Sequence, residues 1–171
     1  MRTPRAIVAV RELVGFLLRR GDLVHRGGDA AALAAGARAH SLEARLREPG
    51  YRAEVPLRLS IGEPPIVIVG RADAVIEHDG AVTVEEIKST AEPLDLVACA
   101  REPDPLVALG LGREGGAPGD PGGRLLDWAQ AACYAAMYGA FHDAEPVRVR
   151  LRYIASSGGA RLDLHRSYDG A

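Results

Sequence analysis

Val147, Val149, Leu151 and Tyr153 alternate with Arg148, Arg150 and Arg152, the cleanest period of two in the chain, in a strand opened by Pro146. That pattern predicts one buried face and one strongly basic face. A second alternation, Ala53, Val55, Leu57 and Leu59 against Arg52, Glu54 and Arg58, predicts a half-buried strand over Tyr51 to Ser60. After a turn at Gly62 to Pro65, the run Ile66 to His78 begins with four consecutive apolar residues. A strand that is apolar on both faces belongs in the middle of its sheet. Asp79-Gly80 favours a two-residue type I′ turn and predicts a hairpin with Ala81 to Ser89. Ser157 to Gly159 turns the arginine-bearing strand into a last one, Arg161 to Tyr168.

The helical period marks three further segments. Residues 6 to 10 are a short apolar run, and Leu13, Val14, Leu17 and Leu18 then give an apolar face to a helix over Arg11 to Arg20 that stops at Gly21. Asp29 is an N-cap for a second helix reaching about Arg47, on which Leu33, Gly36, Ala37, His40 and Ala44 share one face. A third spans about Arg124 to His142, with Gln130, Tyr134, Met137, Tyr138 and Phe141 at helical spacing. Between Glu92 and Gly123 the pattern dissolves into Gly and Pro, and a connection of that length is either functional or a tolerated insertion. Residues 99–123 are thus expected to be flexible, as a lid over a site or as a surface loop.

The order helix, helix, three strands, loop, helix, two strands predicts an α/β fold with a mixed sheet flanked by helices, in one domain over residues 1–171. It is not a Rossmann series. Gly110-Leu111-Gly112 has no strand before it and no helix directly after, so it is no phosphate loop.

Chemistry concentrates on the hairpin. If Asp79-Gly80 closes it, His78 faces Ala81, and counting outward sets Asp73 opposite Glu86 with Cβ atoms about 5 Å apart. Lys88 falls on the same face by the period of two, whereas Glu85 falls on the other, beside Ala74. Two facing carboxylates repel unless a proton or a cation lies between them. A three-residue turn would instead pair Asp73 with Ile87 and dismantle the group.

Composition sharpens this picture at two points. Lys88 is the only lysine among 21 basic residues, and an ammonium is not interchangeable with a guanidinium in a hydrolytic site. The net charge of −2 leaves any nucleic-acid contact to local arginine clusters. Two cysteines, Cys99 and Cys133, form neither a disulfide scaffold nor a metal-spaced pair, and a reducing, cytoplasmic setting follows. Arg11 and Glu12 break the N-terminal apolar segment, so no signal peptide or membrane span is expected.

The element Gly70-Arg71-Ala72-Asp73, followed by Glu86-Ile87-Lys88, resembles the G-x-x-D and (D/E)-x-K elements of the PD-(D/E)XK nuclease superfamily. His40 before the sheet and Gln130-Ala131-Ala132-Cys133-Tyr134 after it resemble the upstream histidine and the Q-x-x-x-Y helix of the RecB-like branch. Val10 to Val14 followed by Arg20 to Leu23 looks, more loosely, like nuclease-type domains attached to bacterial helicases of the DinG kind.

The resemblance implies a restriction-endonuclease-like α-β-β-β-α-β core over about residues 29–156, plus an N-terminal helix and a C-terminal strand. It implies a metal-dependent DNA nuclease hydrolysing phosphodiester bonds in repair or recombination, in company with a helicase; the alternative is a catalytically silent DNA-binding or interaction module. Asp73 and Glu86 would hold Mg²⁺ or Mn²⁺ with the Ile87 carbonyl and His40, the imidazole favouring Mn²⁺. Lys88 would orient water and offset phosphate charge, and Gln130 and Tyr134 would seat the DNA strand. An iron–sulfur cluster of the four-cysteine kind is not expected. Outside the resemblance, Arg148, Arg150 and Arg152 are either a phosphate-binding row or a solvated strand face, and His40 is either a ligand or a hydrogen-bonded histidine at a helix–sheet contact.

Overall fold

A computed structural model of the chain describes residues 5–18, 49–99, 105–108, 124–142, 144, 146–157 and 159–168. Six strands form one mixed sheet: β1 (Ala6–Ala9), β2 (Tyr51–Ile61), β3 (Ile66–His78), β4 (Ala81–Thr90), β5 (Val147–Ala155) and β6 (Arg161–Tyr168). The described helices are α1 (Val10–Leu18), α2 (Leu94–Cys99), α3 (Pro105–Ala108) and α4 (Leu125–His142). The expected second helix, with His40, lies outside the described residues. So does most of the Gly/Pro-rich stretch, where α2 and α3 are short helices that periodicity did not mark.

β3 is the hub, as its two-sided apolar start predicts. One edge carries β2, antiparallel from Tyr51↔Ile76 to Ile61↔Ile66. The other edge is shared. β1 takes Ile66 to Val69 in parallel, and β4 takes Ala74 to His78 antiparallel. β1 is an addition to the expected order: four apolar residues with no alternation, whose partner lies some sixty residues away. β4 then pairs with β5 in parallel, which requires a crossover, and α4 supplies it. β6 completes the sheet against β5.

The hairpin turn has two residues. Asp79 and Gly80 have φ of 51° and 75°, the left-handed pair a type I′ turn demands. Pairing runs His78↔Ala81 to Ala74↔Glu85, so the register is the one that sets Asp73 beside Glu86.

α4 and α1 bury the main core. Val10, Val14 and Leu18 of α1 and Trp128, Ala131, Tyr134, Ala135 and Tyr138 of α4 pack with Leu57, Val75, Val84, Val149, Leu151 and Tyr153. Alanines at 129, 131 and 135 allow the helix to approach the strands closely.

The opposite face corrects the reading of β5. Its arginines do not form a solvated basic face. Arg150 and Arg152 are 9% and 8% exposed, and only Arg148 of the row is at the surface. Arg150 donates through Nε at 2.5 Å to the fully buried Glu85, its register partner, and its Nη2 ion-pairs with the same carboxylate. Arg152 grips Asp163 of β6 with Nε and Nη2 at 2.7 and 2.6 Å. Buried charges are tolerated only when paired, and β4, β5 and β6 supply the pairs across three adjacent strands.

Candidate functional site

Beyond Ala74↔Glu85 the hairpin strands part, and residues 70–73 of β3 lie between the segment taken by β1 and the segment taken by β4. Backbone groups at this fork need other partners, because a buried, unpaired amide costs as much as a lost hydrogen bond. Side chains provide them. Asp73 Oδ2 accepts the N–H of Ile87 at 2.7 Å, in place of a ladder bond. The Tyr134 hydroxyl is hydrogen-bonded to the backbone of Arg71. Tyr134 can reach that point because residue 70 is glycine: a Cβ there would stand 2.4 Å from Tyr134 Cε1 and 3.0 Å from Val10 Cγ2. The glycine that begins the Gly70–Asp73 element therefore makes room for Tyr134 of α4.

Lys88 projects toward α4. Its Nζ lies 2.7 Å from Glu86 Oε1, donates to Gln130 Oε1 at 3.0 Å, and stands 3.8 Å from Asp127 Oδ1. Gln130 Nε2 donates in turn to the Tyr134 hydroxyl at 3.2 Å. Asp127 is fixed from behind by the Tyr153 hydroxyl, which donates to Oδ2 at 2.7 Å and accepts the Arg124 N–H at 3.0 Å.

Three carboxylates, Asp73, Glu86 and Asp127, crowd the Lys88 ammonium, and the Arg124 guanidinium also acts on Asp127. Burial, with repulsion from Asp73 and Asp127, pushes Glu86 up to about 7 despite Lys88. Burial pushes Asp73 up to about 6, against the Ile87 N–H and Lys88, and Glu54 and Glu85 add to the rise. Burial disfavours the Lys88 charge, but its acidic neighbours outweigh it and hold its pKa above the ordinary lysine value. Glu86 is 3% exposed and its Oε2 has no hydrogen-bond partner among the described residues.

Among the described residues no three His, Cys, Asp or Glu side chains gather as a metal-holding group. Asp73 and Glu86 nevertheless fit a hard divalent cation in kind. They offer carboxylate oxygens, and the buried Glu86 Oε2 has no hydrogen-bond partner among the described residues.

The structure brings together Asp73, Glu86, Ile87, Lys88, Gln130 and Tyr134, and His40 lies outside the described residues. Gln130 and Tyr134 turn inward, onto Lys88 and the fork. Arg150 and Arg152 are engaged with Glu85 and Asp163 on the far face, and Arg148, exposed, shares that face by parity. Glu85 is on the far face, as its parity predicts.

Glu54 has a left-handed φ of 54° at the step of β2 between the pairs Ala53↔Ala74 and Val55↔Ala72, level with Asp73, and its carboxylate ion-pairs with Arg71 at 2.6 Å. Asp127 and Tyr153 were not anticipated. The signal for Asp127 was available: it precedes Gln130 by three residues and Tyr134 by seven, one stripe of a helix.

No family profile matches the chain, and no curated protein matches it. Thirteen solved chains resemble it in structure. One is a crystal structure described as that of SSO0001, 18% identical, covering 99% of this chain and 72% of the other with a TM-score of 0.56. The likeness is one of fold. Among the described residues no helix is long and apolar enough to cross a membrane.

Proposed function

We propose that the chain is a metal-dependent DNA nuclease domain of the PD-(D/E)XK type, with the restriction-endonuclease-like core centred on β2, β3, β4, α4 and β5. The observation that carries this reading is the buried Glu86 carboxylate at a strand fork beside Asp73, with an oxygen that has no hydrogen-bond partner among the described residues. A plain structural domain has no use for opposed, buried carboxylates. Mg²⁺ or Mn²⁺, when bound, supplies Lewis acidity toward a phosphoryl oxygen and acidifies water. Asp73 and Glu86 would hold it, with the Ile87 carbonyl and His40 as further donors. Lys88 offsets charge on the phosphate and orients water. Gln130 and Tyr134 act first as supports, holding Lys88 and the edge of β3 in place. Work in repair or recombination beside a helicase follows from the looser N-terminal resemblance.

Purified protein is to be incubated with linear, circular and single-stranded DNA in Mn²⁺ or Mg²⁺. Cleavage by the wild type and its loss in Asp73→Asn and Lys88→Met are expected. Cleavage that persists in both variants removes the site assignment. DNA binding without cleavage in either metal identifies the silent-module alternative.

A further inference from the structure

We infer that Asp127 is the exchange partner of Lys88, the carboxylate that receives the ammonium when a divalent cation engages Glu86. The inference rests on the metal site proposed above and adds a residue to it.

Lys88 has one neutral support and, within ion-pair range, two carboxylates at unequal distance. Gln130 Oε1 is at 3.0 Å, Glu86 Oε1 at 2.7 Å and Asp127 Oδ1 at 3.8 Å. The last is within ion-pair range and outside hydrogen-bond range. As it stands, the ammonium is committed to the very carboxylate that a cation would need. A cation beside Glu86 Oε2 would repel Lys88 from Oε1, and a largely buried ammonium cannot be left without a counter-charge.

Asp127 meets that need by its construction. Its Oδ2 is fixed by Tyr153, a fully buried residue on β5 that stands opposite Lys88 in the parallel register, while Oδ1 remains turned toward the ammonium. Gln130, one turn farther along α4, keeps its hold on Lys88 in either position. A rotation at the end of the lysine closes the 3.8 Å gap with no movement of backbone. Asp127 is thus a positioning residue, acting through Lys88.

The test is calorimetric titration of Mn²⁺, without DNA, into four proteins: wild type, Asp127→Asn, Lys88→Met and the double variant. The asparagine retains an acceptor for Tyr153. If Lys88 has nowhere to go in Asp127→Asn, Mn²⁺ binds about tenfold more weakly than to wild type. In the Lys88→Met background the same substitution leaves Mn²⁺ affinity unchanged. Tyr153→Phe, which frees Asp127 from its anchor, weakens binding in the same direction by less. An equal loss in both backgrounds overturns the inference, because Asp127 would then act on the cation by its charge alone. Wild-type affinity in Asp127→Asn overturns it too. A wild type that binds no Mn²⁺ brings down the metal site itself, a result distinct from either. Thermal melts of all five proteins confirm that the comparison is among folded chains.

Discussion

Glu86 allows the burial of charge at the fork to be read as stability. Its carboxyl rises from 4.5 to about 7 on folding, and at 3% exposure solvent gives little screening. A group with a higher pKa folded than unfolded binds its proton more tightly in the native state. Its stabilising contribution is complete below the unfolded pKa, falls as pH rises, and is gone above the folded one. For Glu86 this window runs from about 4.5 to about 7, and the contribution is on the order of 3 kcal/mol. Asp73, raised to about 6, titrates in the same window, but the two share one repulsion and their contributions do not add. The metal-free protein is therefore expected to lose about 3 kcal/mol between pH 4.5 and 7.5 relative to Glu86→Gln, which keeps an acceptor for Lys88 but has no charge to bury. The assay is urea unfolding followed by circular dichroism, in a chelator, at four pH values. The quantity to plot is the difference between wild type and variant, which cancels the histidines and the carboxylates titrating elsewhere. Mn²⁺ at pH 7.5 should restore the lost stability to the wild type and do little for the variant. A difference that is flat with pH, or that grows in favour of the wild type as pH rises, would refute the electrostatic account of the fork.

Three further outcomes follow from particular contacts. Gly70→Ala places a methyl 2.4 Å from Tyr134 Cε1, so the ring must withdraw; a loss of about 1–3 kcal/mol in chemical unfolding is expected, together with weaker Mn²⁺ binding as Gln130 and Lys88 lose their brace. Glu85→Ala leaves Arg150 buried without its carboxylate and should cost about 3–5 kcal/mol, measured by urea unfolding. Because Glu85 faces away from the fork, Mn²⁺ affinity at a temperature where that variant is folded should stay within about twofold of wild type. Gly80→Ala forces a side chain into a φ of 75° at the turn and should lower stability by about 1–2 kcal/mol with the register and Mn²⁺ affinity retained.

The hairpin was legible in the sequence because its information is local. A two-residue turn fixes parity, parity fixes faces, and Asp73, Glu86 and Lys88 follow without reference to the rest of the chain. Helix α4 and strand β5 were legible for the same reason, each carrying a strong period. What escaped is what depends on a distant partner. β1 is four residues with no alternation, and only its pairing with Ile66 to Val69 makes it a strand. Parity sent Glu85 to the face away from Lys88 and the β5 arginines to a single face of their strand, yet it carries no word on whether either is covered. Covered, a row of guanidiniums becomes a set of internal ion pairs instead of a phosphate-binding surface. Tyr153 escaped because its role is relational: it acts through Asp127, which stands between it and Lys88, and Asp127 shows in the sequence only as one more position on the Gln130–Tyr134 stripe.

The parting of β3 and β4 has a consequence for anyone who mutates this protein. At the fork, the bonds that would normally be backbone to backbone have been handed to side chains of the proposed site. Asp73 closes a ladder through Ile87, and Tyr134 stands in for an absent strand at Arg71. Truncating either residue removes a functional group and a structural hydrogen bond in one stroke, so an inactive alanine variant at these positions is ambiguous by construction. Asp73→Asn, which leaves the acceptor for Ile87 in place, separates chemistry from architecture. Removing the Tyr134 hydroxyl does not.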